Sequence, residues 1–337
     1  MILSICSAVL VFLFVWLFIR IAPRLRLIDF PGERKKHGFG VPAVGGLAIY
    51  PAVCLAALAG GVPHEFEFVL LTALGLVVLG ALDDALELRV RVRLLAQIFV
   101  VVICALGTQL GIVYTGVTLI DQVIQEWALT LPLTIVVVVG LINAFNMSDG
   151  IDGLASGQVL LSLSILAGYI YVKHGEVIEL QWSLILIAAV VAFFMVNMSL
   201  TPMKKIFLGD SGSLLVGYLV AWTLIVFSQK TSNLVDPVVA LWCITIPVFD
   251  VVHLIGHRLS RGHSAFKPDR FHLHHILMDK GLSSGASLSA VLLASWCISL
   301  LGIAVTQSSS PAVSILSYGF MILLYCVAKS RFVASFK

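Results

Sequence analysis

Six short patches hold most of the residues able to do chemistry: 31–46, Asp83-Asp84, 143–153, 207–212, Asp250 and 263–275. Between them the chain is close to pure hydrocarbon. Adjacent carboxylates, a run of Asn and Asp, a Gly-Asp-Ser-Gly turn and a histidine-rich segment are the groups that a metal-diphosphate substrate requires. Asp83-Asp84 follows a long apolar run, so it sits at the carboxyl end of a helix. Two carboxylates there oppose the helix dipole, and a cation must compensate them. Arg89, Arg91 and Arg93 lie nearby, but their spacing also serves membrane orientation.

Asn143, Asn146, Asp149 and Asp152 recur every three residues, a spacing that puts them on one face if the helix continues through them. Gly150 and Gly153 allow a sharp turn or close approach to a ligand. Amides and carboxylates in such a row bind a sugar and a base, or a hard cation; a capping role accounts for Asp149 or Asp152 but not for the row. Asp210 opens the next polar patch between Gly209 and Gly212, whose backbone N–H groups are a candidate phosphate cradle. Phe207 is either an interfacial anchor or a stacking platform for a base. The loop 257–284 carries Arg258, Arg261, His263, Lys267, Asp269, Arg270, His272, His274 and His275. Anion binding suits this surplus of donors better than zinc, because the histidines lack ligand spacing. Asp250 lies about two turns before His257 inside an apolar run, and a carboxylate there needs a partner, expected from this loop.

The elements that carry these patches are membrane spans. The chain has 337 residues, 60% hydrophobic and only 12% charged, against roughly 25% charged in a soluble domain. Eleven segments approach the length of about 20 residues that a span needs: 2–19, 43–60, 67–82, 94–113, 129–145, 154–172, 182–198, 211–227, 237–256, 287–305 and 312–328. The expected fold is a single all-α transmembrane domain over 1–337. The first segment lacks the basic start and small-residue cleavage site of a signal peptide, so the amino terminus is expected outside. Of the 21 Lys and Arg residues, 19 fall on one set of connections and only Lys173 and Lys230 on the other. The rich side is cytoplasmic, carries all six patches, and holds the carboxyl terminus. The net charge of +3 reports this topology, and nucleic acid is not an expected partner. Cys6, Cys54, Cys104, Cys243, Cys297 and Cys326 all fall in spans and read as small apolar packers.

With these residues in view, the chain resembles the polyprenyl-phosphate N-acetylhexosamine-1-phosphate transferases. The resemblance runs in order through Asp29-Phe-Pro31 with Arg34-Lys35-Lys36-His37, then Pro42 to Gly46, Leu82-Asp83-Asp84, Asn143 to Leu154, Phe207 to Ser213, Pro247-Val-Phe-Asp250 and Asp269-Arg270-Phe-His272-Leu-His274-His275. Two departures stand out. Glu87 occupies a position where the family often has a third Asp, and no long basic tail follows the last span. His272-Leu-His274-His275, in place of three consecutive histidines, resembles the undecaprenyl-phosphate N-acetylglucosamine branch rather than the muramyl-pentapeptide phosphotransferases.

The resemblance implies transfer of N-acetylglucosamine-1-phosphate from UDP-N-acetylglucosamine to undecaprenyl phosphate at the cytoplasmic face of a bacterial inner membrane. It implies Mg²⁺, with Mn²⁺ as substitute, and Asp210 as the leading metal ligand. Asp83 and Asp84 would handle the lipid phosphate, either as a base or through the metal; covalent attack by Asp83 or Asp210 stays open. Asn146, Asp149 and Asp152 would bind uridine or sugar, with Phe207 on uracil, and Arg270, His272, His274 and His275 would hold the diphosphate or the amino sugar. Another UDP-N-acetylhexosamine is the alternative donor, a homodimer is allowed, and a transporter for an anionic solute is the rival from another class.

Overall fold

A computed structural model describes residues 2–30, 40–60, 62–126, 128–229, 234–262, 264 and 271–334. The chain is a bundle of helices: α1 (Ile2–Leu25), α2 (Gly45–Gly60), α3 (Glu65–Leu86), α4 (Val90–Thr108), α5 (Thr118–Glu126), α6 (Thr130–Ser148), α7 (Leu154–His174), α8 (Ile178–Asn197), α9 (Gly209–Gln229), α10 (Pro237–Trp242), α11 (Thr245–Leu259), α12 (Leu273–Asp279), α13 (Ser284–Ser308) and α14 (Pro311–Ala334). A two-residue hairpin of β1 (Ile28–Asp29) and β2 (Val41–Pro42) precedes α2. Among the described residues, α1, α3, α4, α6, α7, α8, α9, α13 and α14 are long and apolar enough to cross a membrane. This is a multi-pass membrane protein. Helix suits such segments, because it satisfies every backbone group within the segment where hydrocarbon offers no partner.

Two of the expected segments depart from a full-length span. α2 has only 16 residues. The expected 237–256 span is broken into α10 and α11 at Ile244 (φ −126°, ψ 37°). Pro247 supplies a reason: it has no N–H to bond the Cys243 carbonyl, so the ladder lapses where the helix would have run on.

α9 is the axis of the bundle. Every residue from Ser211 to Ser228 is buried, enclosed chiefly by α3, α6 and α2. Tyr218, Trp222 and Phe227 fill its surroundings, and Phe66 stacks on Trp182 at 4.1 Å between ring centroids. Polar atoms inside are paired across helices: Trp182 donates to Thr223 (2.9 Å), and Thr72 meets Tyr218 (2.7 Å). Such bonds average about 0.6 kcal/mol in a membrane, so packing of the large side chains carries the bundle. Cys104 and Cys243 pack inside as expected, whereas Cys6 and Cys297 lie exposed on its outer surface.

The polar end of the bundle is stitched by backbone. Phe207 N–H donates to the Pro42 carbonyl (2.8 Å), and Gly45 and Gly46 donate to the carbonyls of Phe207 (3.0 Å) and Leu208 (3.2 Å). These bonds bring the start of α2 against the start of α9.

Candidate active site

The last turn of α3 delivers Asp83 and Asp84 against the first turn of α9. A helix start leaves four N–H groups without intrahelical partners and carries positive dipole charge. Asp84 answers both. Its Oδ1 accepts from Asp210 N–H (3.0 Å) and its Oδ2 from Ser211 N–H (3.3 Å). A carboxylate unfavourable on its own helix end is thereby the cap of another. Two glycines permit the approach: a Cβ at Gly80 would collide with the Ser211 backbone, and one at Gly46 with the Ser211–Gly212 peptide. Gly209, at φ +70°, turns the chain into α9. The N–H groups of Asp210 and Ser211 are taken by Asp84, and Gly212 serves close helix packing.

Asp83 is held differently. Its Oδ1 accepts from Leu88 N–H (2.8 Å) and its Oδ2 pairs with Arg93 (2.5 Å). The same guanidinium lies 3.9 Å from Asp210 Oδ2, while Asp210 Oδ1 accepts from Asn146 (2.6 Å). Asn146 also donates to Ser213 (2.8 Å). Arg93 is thus shared by Asp83 and Asp210, while Asp84 holds the start of α9 beside them. The Asp83 side chain is 4% exposed and that of Asp210 31%, so of these two Asp210 is the carboxylate a ligand can reach. Glu87 is exposed and left-handed (φ 51°), and it ends α3 through its N–H bond to the Asp83 carbonyl.

The Asn-Asp row does not share one helical face. α6 ends at Ser148, and Asp149 is its exposed cap (φ −79°, ψ 50°). Asn143 turns to Gln97 on α4 (2.7 Å), away from Asn146. Asp152 lies in the turn before α7 and pairs with Lys205 (2.5 Å). Neither aspartate caps α7, whose cap is Gly153 at φ 77°. Asn197 holds this turn, accepting from Gly153 N–H (2.8 Å) and donating to the Ile206 carbonyl (2.8 Å). Asp152, Lys205, Asn197, Ser199 and Ser284 help line a cavity of about 240 Å³. The ring of half-buried Phe207 lies 5.3 Å from the Lys205 ammonium.

The histidine segment forms a second polar cluster. Asp250 has the partner expected from the loop: its Oδ2 meets His272 Nδ1 (3.0 Å). Its Oδ1 also takes Lys329 Nζ (2.5 Å), Tyr325 OH (2.7 Å) and Leu273 N–H (3.3 Å). His274 is buried against Gly150, where a Cβ would collide with its ring. Burial first, then His275 and His272, push its pKa down to about 3, so His274 is neutral at pH 7 and contributes no cationic charge to anion binding. His275 packs on it at 4.2 Å between ring centroids. Arg270 and His263 lie outside the described residues.

As for a metal, no three His, Cys, Asp or Glu side chains among the described residues make a ready cation cage. The donor set nevertheless fits Mg²⁺, which keeps several waters and uses one or two carboxylates plus substrate phosphates. Sequence reasoning left Arg93 undecided among three nearby arginines and missed Lys329, whose charge was absorbed into the orientation count. The signal for Lys329 was a cation within an apolar run; for Asn197 there was none.

The model of glycosyl transferase family 4 matches residues 66–228, the span from α3 through α9 that builds the carboxylate cluster. Curated relatives extend the likeness to the whole chain. The undecaprenyl-phosphate alpha-N-acetylglucosaminyl 1-phosphate transferase of Yersinia pestis is 30% identical over 97% of this chain and 93% of its own length. The protein of the same name from Escherichia coli strain K12 is 31% identical over 97% and 91%. A Bacillus subtilis protein described as a probable undecaprenyl-phosphate N-acetylglucosaminyl 1-phosphate transferase is 32% identical over 86% and 80%. Identity at this level across nearly every element of the bundle means that the chain belongs to the polyprenyl-phosphate N-acetylhexosamine-1-phosphate transferases of glycosyl transferase family 4.

Proposed function

We propose that the chain transfers N-acetylglucosamine-1-phosphate from UDP-N-acetylglucosamine to undecaprenyl phosphate, in a bacterial inner membrane and at its cytoplasmic face. The observation that carries this reading is the gathering of Asp83, Asp84 and Asp210 at the end of the bundle, where Arg93 reaches Asp83 and Asp210. The names of the relatives support the substrates. An oxygen of the lipid phosphate forms a bond to the sugar-bearing phosphorus of the nucleotide. The bond from that phosphorus to UMP breaks, and UMP leaves with the electron pair. The products are UMP and undecaprenyl-diphospho-N-acetylglucosamine.

Such transfers depend on positioning and charge rather than on covalent chemistry by the protein. A bound Mg²⁺ would neutralise the diphosphate and the developing charge as a Lewis acid. Asp210 would hold it, because its side chain is partly exposed and Asn146 fixes its Oδ1. Arg93 keeps Asp83 oriented beside it. Asp84 fixes the height of Asp210 by capping α9. A phosphate monoester is largely ionised at pH 7 because its second pKa is about 6. Asp83 therefore orients the nucleophile and need not deprotonate it. Asp152 and Lys205 border the cavity that suits uridine or the sugar, and the Phe207 ring lies beside Lys205. His272, His275 and Arg270 are the proposed diphosphate side.

Transporters place their sites near the bilayer midplane between repeated halves. Here the cluster sits at helix ends around a central helix that is buried throughout, which favours the enzyme. Purified protein supplied with radiolabelled UDP-N-acetylglucosamine, undecaprenyl phosphate and Mg²⁺ should yield a labelled, chloroform-soluble product and UMP. Label that stays aqueous sinks the reading; label transferred only from another UDP-N-acetylhexosamine revises the donor. For sidedness, a cysteine at Ser283 in a cysteine-free background should be modified from the cytoplasm and one at Glu176 from the opposite side. Modification of both from one side refutes the orientation.

A further inference from the structure

Asp250 gathers four donors from two other elements. Lys329 and Tyr325 come from α14, and His272 with the N–H of Leu273 comes from the start of α12. The Lys329 side chain is 1% exposed. A buried ammonium and a buried carboxylate are each costly alone, and removal of one strands the other. The last helix is therefore bound to the start of the histidine segment through this carboxylate, while at the far end of α12 the Lys280 ammonium lies over the Phe332 ring of α14 at 4.3 Å. Geometry assigns the tautomer as well. An ionised carboxylate only accepts, so the 3.0 Å contact makes His272 Nδ1 the protonated nitrogen and leaves Nε2 to meet a ligand.

We propose that Lys329 and Tyr325 are positioning residues for the transfer reaction: through Asp250 they dock α12 and hold His272 with Nε2 turned to the diphosphate of the sugar nucleotide. This rests on the function proposed above, in which the histidine segment receives that diphosphate. Neither residue touches the substrate. Each acts by fixing the carboxylate that fixes the imidazole, as outer partners do for ligating histidines.

The test uses the full-length protein in lipid nanodiscs and three readouts: amide exchange over 273–279, melting temperature, and UMP release with each substrate varied. Lys329→Met should speed α12 exchange and lower kcat/KM for UDP-N-acetylglucosamine by about 10–100-fold, with KM for undecaprenyl phosphate held within about twofold. Tyr325→Phe removes one hydroxyl and should move the same readouts by less. In Asp250→Asn/Lys329→Met both charges are gone, so the melting temperature should recover, but the low kcat/KM should persist because a neutral amide holds the imidazole poorly. Ser7→Ala, which loses a bond to Ile185 between α1 and α8, serves as a destabilised control far from the segment. Unchanged α12 exchange in Lys329→Met overturns the proposal. So does a double variant in which kcat/KM returns together with the melting temperature, since that marks a merely structural pair. If the unsubstituted protein transfers no sugar phosphate, the function reading falls, and the exchange arm alone still upholds or overturns the docking of α12.

Discussion

Asp84 and Asp250 do the same mechanical work in opposite electrostatic company. Each is a carboxylate on one helix that receives the first N–H groups of another: Asp84 those of α9, Asp250 that of Leu273 in α12. Beside Asp84 stand Asp83 and Asp210, which share one guanidinium. Around Asp250 stand an ammonium, an imidazole and a phenol. The first cluster is short of positive charge and the second has enough of its own. A cation-poor cluster at a membrane surface is suited to a ligand that brings a cation; a satisfied one is suited to hold the architecture steady. Charge supply, more than residue type, separates the proposed reacting centre from its support.

The sharpest way to break this contrast is to remove one carboxylate from each cluster. Asp250→Ala should cost about 3–5 kcal/mol of stability by leaving Lys329 buried without its anion, read as a lowered melting temperature. Asp210→Asn should leave the melting temperature unlowered, since it relieves repulsion, yet reduce turnover at least about 10²-fold, a loss typical of missing transition-state electrostatics. Chelation of divalent metal should abolish transfer in the unsubstituted protein and leave its melting temperature unchanged. If Asp210→Asn unfolds the protein and Asp250→Ala leaves it intact, the two assignments are reversed.

Smaller effects sharpen the boundary between the clusters. Phe207→Ala should weaken UDP-sugar binding by about 1–3 kcal/mol if the ring stacks on uracil, with the lipid KM unaltered; calorimetric titration decides. His274 provides a pH test. Its folded pKa is depressed to about 3 against an ordinary 6.5, so the unfolded chain binds the extra proton between these values. Stability is then complete above pH 6.5 and declines as pH falls toward 3, by at most about 1.4 kcal/mol per unit. His274→Asn should flatten that slope in melting temperature between pH 7 and 5. Lys205→Met should cost least, under about 1 kcal/mol of stability, because its pair with Asp152 is about one-third exposed and such pairs are worth little.

The polar patches and their order along the chain were legible, as was the need of Asp250 for a partner in the histidine loop. What stayed hidden has physical causes. Arg93 looked like one of three alternating arginines placed for orientation, and only the fold shows that it alone turns inward to Asp83 and Asp210. The three-residue spacing of Asn143 to Asp152 suggested one helical face, but Gly150 and Gly153 let the chain leave the helix halfway. α9 resembles the other spans in hydropathy; its central place follows from Ser211, Gly212, Ser213 and Gly217, whose small size lets several helices close on it. The break at Ile244 was written in Pro247, yet a hydropathy window passes over it.

Gly80 and Gly46 press directly on the backbone of Ser211, and this bears on how defects in the protein would arise. A single methyl at Gly80 changes no charge, no hydrogen-bonding atom and hardly any hydropathy, so it would look harmless in an apolar helix. It would nonetheless wedge α3 from α9 and part Asp84 from the N–H groups it holds. Loss-of-function alleles of this chain should therefore include silent-looking glycine-to-alanine changes well inside its greasiest stretches, and a survey confined to the acidic residues would overlook them.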